Sequence, residues 1–175
     1  MAQTITRKES PAATRTAAPP VVTPPSAATT QDRGGVVKQF SVFAENKVGR
    51  LNDIVALLAG KDVHVLALCL VDTTDSTIIR LVLDYPEVAA PLLTGQGFAY
   101  SITKVLAVEI DTEARLKFVT CALVQAEINI HYLYPFLMRP NGRTGLILHL
   151  EDPDLAADVL KRNQITVLSQ ADLAR

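Results

Sequence analysis

ENKVGRLNDIVALLAG, residues 45–60, sets a charged turn with one glycine directly before a patterned helix. DTEARLKFVTCALVQAE, residues 111–127, repeats the arrangement without the glycine. In the first stretch Leu51, Ile54, Val55 and Leu58 recur at the spacing of one helical face, and Gly60 follows as a helix stop. The two stretches match without a gap at one offset of about 65 residues: Asn46 falls on Asp111, Arg50 on Arg115, Leu51 on Leu116, Val63 on Ile128 and Val65 on Ile130. A repeat of that length is too long for a solenoid unit and suits two small α+β domains.

The flanking segments extend the repeat. VVKQFSVFAE (36–45) reads as a strand before the first turn. HVLALCLVD (64–72) and TIIRLVLD (77–84) are apolar strands whose short polar connection implies an antiparallel hairpin. PEVAAPLLTGQG (86–97) opens with a proline suited to a first helical turn, and Pro91 is expected to kink or shorten that helix. FAYS (98–101) starts the last strand of the unit. KVLAVEI (104–110), ARLKFVTCALVQAE (114–127), INIHYLYPFLM (128–138) with TGLILHL (144–150), DPDLAADVLKRN (152–163) and ITVLS (165–169) then repeat the order. The fold class is therefore α+β, two tandem ferredoxin-like βαββαβ domains with antiparallel sheets, at 36–102 and 103–173. Only two or three residues around Ile102–Lys104 are left to link them, so the strands on either side must lie close together.

Residues 1–35 differ in composition. They are rich in Ala, Thr and Pro and nearly devoid of large apolar side chains, which points to a disordered tail. Its hydroxyl residues, with Arg7, Lys8 and Arg15 and few acids, also fit an organelle transit peptide. The chain has 175 residues, 49% of them hydrophobic, enough to bury a core, and no apolar stretch is long enough to span a bilayer. A formal net charge of -1 and the lack of a Lys/Arg run argue against nucleic acid as partner. Cys69 and Cys121 are too far apart for a CxxC motif and read as small buried hydrophobes in a reduced, cytoplasmic setting.

The order βαββαβ, the turn ENKVGRL, the phrase VHVLALCLVDTTDSTIIRLVL and the phrase AEINIHYLYPF followed by EDPDLAADVLKRNQITVLS resemble tandem ACT-domain proteins over roughly residues 36–173. The most specific part is the Asn/Asp-Lys-Pro-Gly-Xaa-Leu turn, here Asn46, Lys47, Val48, Gly49, Arg50 and Leu51, with only the proline missing. The resemblance implies a non-enzymatic regulatory module that binds a small amino acid through these six residues. It also implies association into a homodimer, with residues of another module's second strand completing the site, for which Asn129 and His131 are the candidates. The second copy, with Asp111, Arg115 and Leu116 but neither proline nor glycine, is a degenerate site. The alternative implied is a regulatory subunit docking on a biosynthetic enzyme such as acetolactate synthase. Small sheets of this kind expose edge strands, which pairing of the two repeats or of two chains would cover.

The turn's chemistry stands apart from the resemblance. The first N–H groups of a helix lack internal partners and carry the positive end of its dipole, so they suit a carboxylate. Gly49 permits close approach, and the Asn46 side-chain oxygen is suited to an α-ammonium group. The plainer reading is that both residues simply form the turn and cap the helix. Glu113 in the second copy favours the helix dipole and repels a carboxylate, so one ligand site per chain is expected.

Other chemistry is weaker. His64, His131 and His149 fall in expected strands; a two-residue turn at Asn141 and Gly142 pairs His149 with Tyr134 and sends His131 to the opposite face, which disfavours a shared metal. Asp72, Thr73, Thr74, Asp75 and Ser76 are simplest as turn residues. No catalytic set, phosphate loop or cofactor motif is present. An RNA-recognition module shares the strand order, but its central strands need aromatics and TIIRLVLD has none.

Overall fold

The computed structural model describes residues 35–72, 76–138, 142 and 144–175. Residues 1–34 of the expected tail, and residues 73–75, 139–141 and 143, lie outside them. The first half is β1 (Val36–Glu45), α1 (Arg50–Ala59), β2 (Val65–Asp72), β3 (Ser76–Leu83) and α2 (Pro86–Gly95). The second is α3 (Glu113–Gln125), β5 (Ile130–Pro135), β6 (Gly145–Leu150), α4 (Pro153–Arg162), β7 (Val167–Leu168) and α5 (Gln170–Leu173). Between them runs β4 (Ala99–Glu109), one uninterrupted strand. The two strands expected at 98–101 and 104–110 are thus a single element, and Ile102–Lys104 is strand rather than linker. All pairings are antiparallel, in the order β2-β3-β1-β4-β6-β5, with β7 also on β4.

Burial follows strand alternation. Phe40 and Val42 of β1 join Ile79, Leu81 and Leu83 of β3 beneath Ile54 and Leu58 of α1 and Ala89 and Leu93 of α2. The second half builds the matching layer from Leu106, Val108, Leu148 and Leu150 under Val119, Leu123, Ala156 and Leu160. The sheet curls so that its two helix-free faces meet around Val37, Ala67, Val82, Val105, Ala107, Tyr134, Ile147 and Leu173. The curl brings the edge strands together: Ala67 bridges Phe136, and the N–H groups of Leu137 and Met138 both donate to Leu66 O. The exposed edges expected from a small sheet are thereby partly covered within one chain.

Several local features carry the repeat into the backbone. Asp62 and Glu127, at matching positions just beyond α1 and α3, are both left-handed, as are Gly97 and Gln164 beyond α2 and α4. The buried carboxylate of Asp84 accepts from the N–H groups of His64 (2.8 Å) and Tyr85 (2.9 Å) and lies 2.9 Å from His64 Nδ1, tying the start of β2 to the start of α2. Asp152 caps α4 by accepting from Leu155 N–H at 2.9 Å.

Four further expectations change. α2 runs through Pro91 to Gly95: Pro91, six residues in, removes only the one N–H that would have reached the Glu87 carbonyl, and the rest of the helix continues past it. The ITVLS strand is only two residues long, because Ser169 and Asp172 form a capping box that starts α5. Cys121 is exposed on α3 and Cys69 half-buried, so neither is a sealed core residue. His131 and His149 do not face opposite sides: β5 pairs Tyr132 with His149, an irregularity between Ile130 and Tyr132 leaves His131 out of register, and the two rings lie 5.1 Å apart.

A polar cluster joins the halves. Gln39 is fully buried; its amide donates to Tyr132 OH (2.8 Å) and Ser41 Oγ (3.2 Å) and accepts from Tyr134 OH (2.8 Å). Burial pushes the Tyr134 hydroxyl well above its usual range, so it remains a donor. Arg80 stacks 4.1 Å above the Tyr132 ring, and His149 stacks on the same ring at 4.7 Å. Gln39→Leu leaves two tyrosine hydroxyls without that partner and should cost about 2–4 kcal/mol of unfolding free energy in urea titration. Burial, followed by the charges of His131 and Arg80, holds the His149 pKa below its usual 6.5. The unfolded chain therefore binds the proton first as pH falls, so stability is complete above 6.5 and declines below it until the folded-state pKa is passed. Thermal melts from pH 8 to 5.5 should show this decline, and His149→Gln should flatten it.

Candidate functional site

The first-half turn opens a cavity of about 550 Å³ lined by Asn46, Lys47, Gly49, Arg50, Leu51, Asn52, Val55, Leu70, Asp72, Thr77 and Ile79. Its walls are the start of α1 and the facing ends of β2 and β3, where Leu70 pairs with Ile79 and Asp72 with Thr77. Five of the six turn residues anticipated from sequence line it. Val48 does not; its side chain projects fully into solvent.

Gly49 sets the geometry. With φ of 97° it is the left-handed N-cap of α1, a conformation strained for any residue with a Cβ, and no atom lies within 4 Å of where that Cβ would be. Having no side chain, it provides no cap. Among the described residues, Arg50 N–H reaches Lys47 O and Asp53 N–H reaches Gly49 O, while the N–H groups of Leu51 and Asn52 have no acceptor. Both residues line the cavity.

The second copy is built differently. Ala114, at the Gly49 position, lies inside α3, which starts at Glu113, whereas α1 starts only at Arg50. Thr112 caps α3 with its side chain, accepting from Arg115 N–H at 3.3 Å, and its carbonyl accepts from Leu116 N–H at 3.3 Å. Its hydroxyl also donates to Asp111 at 3.3 Å. The helix wound one half-turn further back replaces the open glycine turn, and the N–H of Leu116, unlike that of Leu51, is satisfied.

The remaining polar groups of the cavity are organised around Asp72. Asn46 Nδ2 donates to Asp72 Oδ1 at 2.7 Å, so the Asn46 amide orients this carboxylate. Lys47 is engaged by Glu45, whose pKa is lowered by the hydrogen bond and charge of Lys47, and Arg50 lies 3.7 Å from Asp53. No basic side chain is within ion-pair reach of Asp72 among the described residues. Asp72 reads in the sequence as a turn residue; only its strand register reveals that it shares a face with Leu70 and looks across at Thr77. Asn129 and His131 lie on the far half and do not line this cavity. No group of three or more potential metal ligands occurs among the described residues.

The comparisons agree with this architecture. The family model described as an ACT domain pair matches residues 35–175. The chain belongs to the ACT domain pair family, whose domains are regulatory rather than catalytic modules. A crystal structure of a protein from Bacteroides thetaiotaomicron is 30% identical, with a TM-score of 0.72, covering 80% of this chain and 96% of that one. The ligand-free regulatory subunit of aspartate kinase from Thermus thermophilus shares the fold at 11% identity, with a TM-score of 0.52 over 74% of this chain and 93% of that one. No curated protein matches the sequence. No helix among the described residues is long and apolar enough to cross a membrane.

Gly49→Ala should lower stability by about 1–2 kcal/mol, because the left-handed conformation penalises a Cβ. The matched Ala114→Gly change should also destabilise, by about 1 kcal/mol through the entropy of a helical glycine. Chemical denaturation of the two variants checks both signs.

Proposed function

We propose that this protein is a sensor that binds one free α-amino acid per chain in the first-half cavity. The carboxylate sits on the N–H groups of Leu51 and Asn52 at the positive end of α1. The ammonium sits on Asp72, oriented by Asn46. The observation that carries this reading is the pairing, in one cavity, of helix N–H groups and a carboxylate that have, among the described residues, no acceptor and no basic partner respectively, which is the charge arrangement of a zwitterion in reverse. Membership of a family of regulatory domains supports it, as does the capped turn of the second copy. Binding would hold α1 and the ends of β2 and β3 together, and a bound state with that preference shifts packing with a partner subunit or a second chain.

A second reading is a docking subunit for a biosynthetic enzyme. It draws on Phe118 and Val124, large apolar residues of α3 that are 65% and 74% exposed.

The deciding experiment is a thermal-shift screen against the twenty amino acids, followed by calorimetry. Ligand at about 100 times its Kd should add roughly 2.7 kcal/mol to stability, with one equivalent bound per chain. Asp72→Asn and Gly49→Ala should each weaken binding by tenfold or more, roughly the worth of a charge-assisted contact. Two equivalents per chain would refute the single-site reading, and no shift at millimolar concentration would favour docking.

A further inference from the structure

The cavity has a second character that its polar groups do not explain. Leu70 and Ile79 are cross-strand partners on one face of the hairpin, and Leu51 and Val55 are one turn apart on α1, facing them. Ile54 and Leu58 on the neighbouring stripe of the same helix are sealed in the core, as is Ile79. Leu70 and Val55 are not: they remain 45% and 39% exposed. The protein thus leaves two aliphatic side chains uncovered inside a concave site, where covering them gains free energy in proportion to the apolar area removed from water.

We propose, building on the site reading above, that the amino acid taken here carries a branched aliphatic side chain. Leu70 and Asp72 lie on the same face of β2, two residues or about 7 Å apart. A ligand fixed by its ammonium at Asp72 and its carboxylate at the start of α1 therefore lays its side chain along β2 towards Leu70, under Val55. Among the described residues, the charged and hydroxyl groups along that path already have partners. The Thr77 hydroxyl donates to Val71 O at 3.3 Å, Lys47 pairs with Glu45, and Arg50 faces Asp53. An acidic or basic side chain would be desolvated against Leu70 and Val55 without compensation. Glycine and alanine would leave the apolar wall uncovered, and among the described residues no aromatic side chain lines the cavity to favour a ring.

The test is calorimetry on the full chain with L-valine, L-isoleucine and L-leucine against L-alanine, L-threonine, L-aspartate, L-lysine and L-phenylalanine. At least one branched aliphatic ligand should bind about tenfold or more tighter than alanine and tighter than every other ligand tried. Leu70→Asn should reduce that preference by about tenfold, with a cooperative melt showing that the fold persists. Val55→Thr, a smaller change, serves the same purpose if Leu70→Asn does not fold. Tighter binding of threonine, aspartate, lysine or phenylalanine, abolished by Asp72→Asn, would overturn the aliphatic assignment and leave the site standing. Absence of binding by all eight would overturn both.

Discussion

Eleven residues of unbroken strand, Ala99–Glu109, hold the two halves in one arrangement. One edge of β4 carries β1 along its first part and β7 at Ala107 and Val108, while the other edge carries β6 from Leu106 to Glu109. A single strand cannot serve two sheets as a hinge while every residue of it is committed to a ladder. The strand's twist then does the rest, turning the two helix-free faces towards each other until β2 and β5 meet. Because the helices of each half occupy the outer faces, the molecule has two helix-to-sheet cores and a third between sheet faces.

That third core is where specificity is written. A purely apolar seam between curled sheets tolerates slippage by one register, which inverts every side chain. Gln39 prevents it by presenting both ends of a buried amide to hydroxyls of the other half, Tyr132 and Tyr134. A shifted register would strand the buried Gln39 amide and Tyr134 hydroxyl and the half-buried Tyr132 hydroxyl at once. The C-terminal segment closes the same seam: Leu173 is buried in it, while the Gln170 side chain accepts from Lys38 N–H and donates to Leu83 O, stitching the end of the second half to two strands of the first.

Against this shared frame, the two turns diverge for a local reason. Where Gly49 allows a left-handed step, α1 starts late and, among the described residues, the N–H groups of Leu51 and Asn52 have no acceptor beside the cavity; where Ala114 disallows it, the chain winds into helix two residues earlier and Thr112 caps it. The same topology thus supports an open and a closed version of one corner. Asp72 makes the open version chemically distinct, placing a carboxylate opposite the uncapped helix start.

Much of the fold was legible in sequence order. Periodicity located β1, both pairs of repeat helices and both hairpins, because strand and helix periods are local properties, and the constant offset between Asn46 and Asp111 exposed the duplication. The loss of glycine at Ala114 announced that the corners differ. The Ser169–Asp172 capping box and the Thr112 cap went unread, although Ser-x-x-Asp and a Thr before a helical run are short-range signals. What remained unreadable was everything that depends on register and curl. Continuity of β4, the meeting of His131 with His149 through an irregularity in β5, the burial of Gln39 and the place of Asp72 in the cavity all join residues whose separation in the chain says nothing of their distance in space. The sequence by itself determined the elements, their repetition and the one turn that needs glycine, for these follow from local backbone sterics and hydrophobic period. Tertiary structure alone decided which faces meet and which side chains share a cavity, because pairing and twist set those relations only once both halves hang on the same strand.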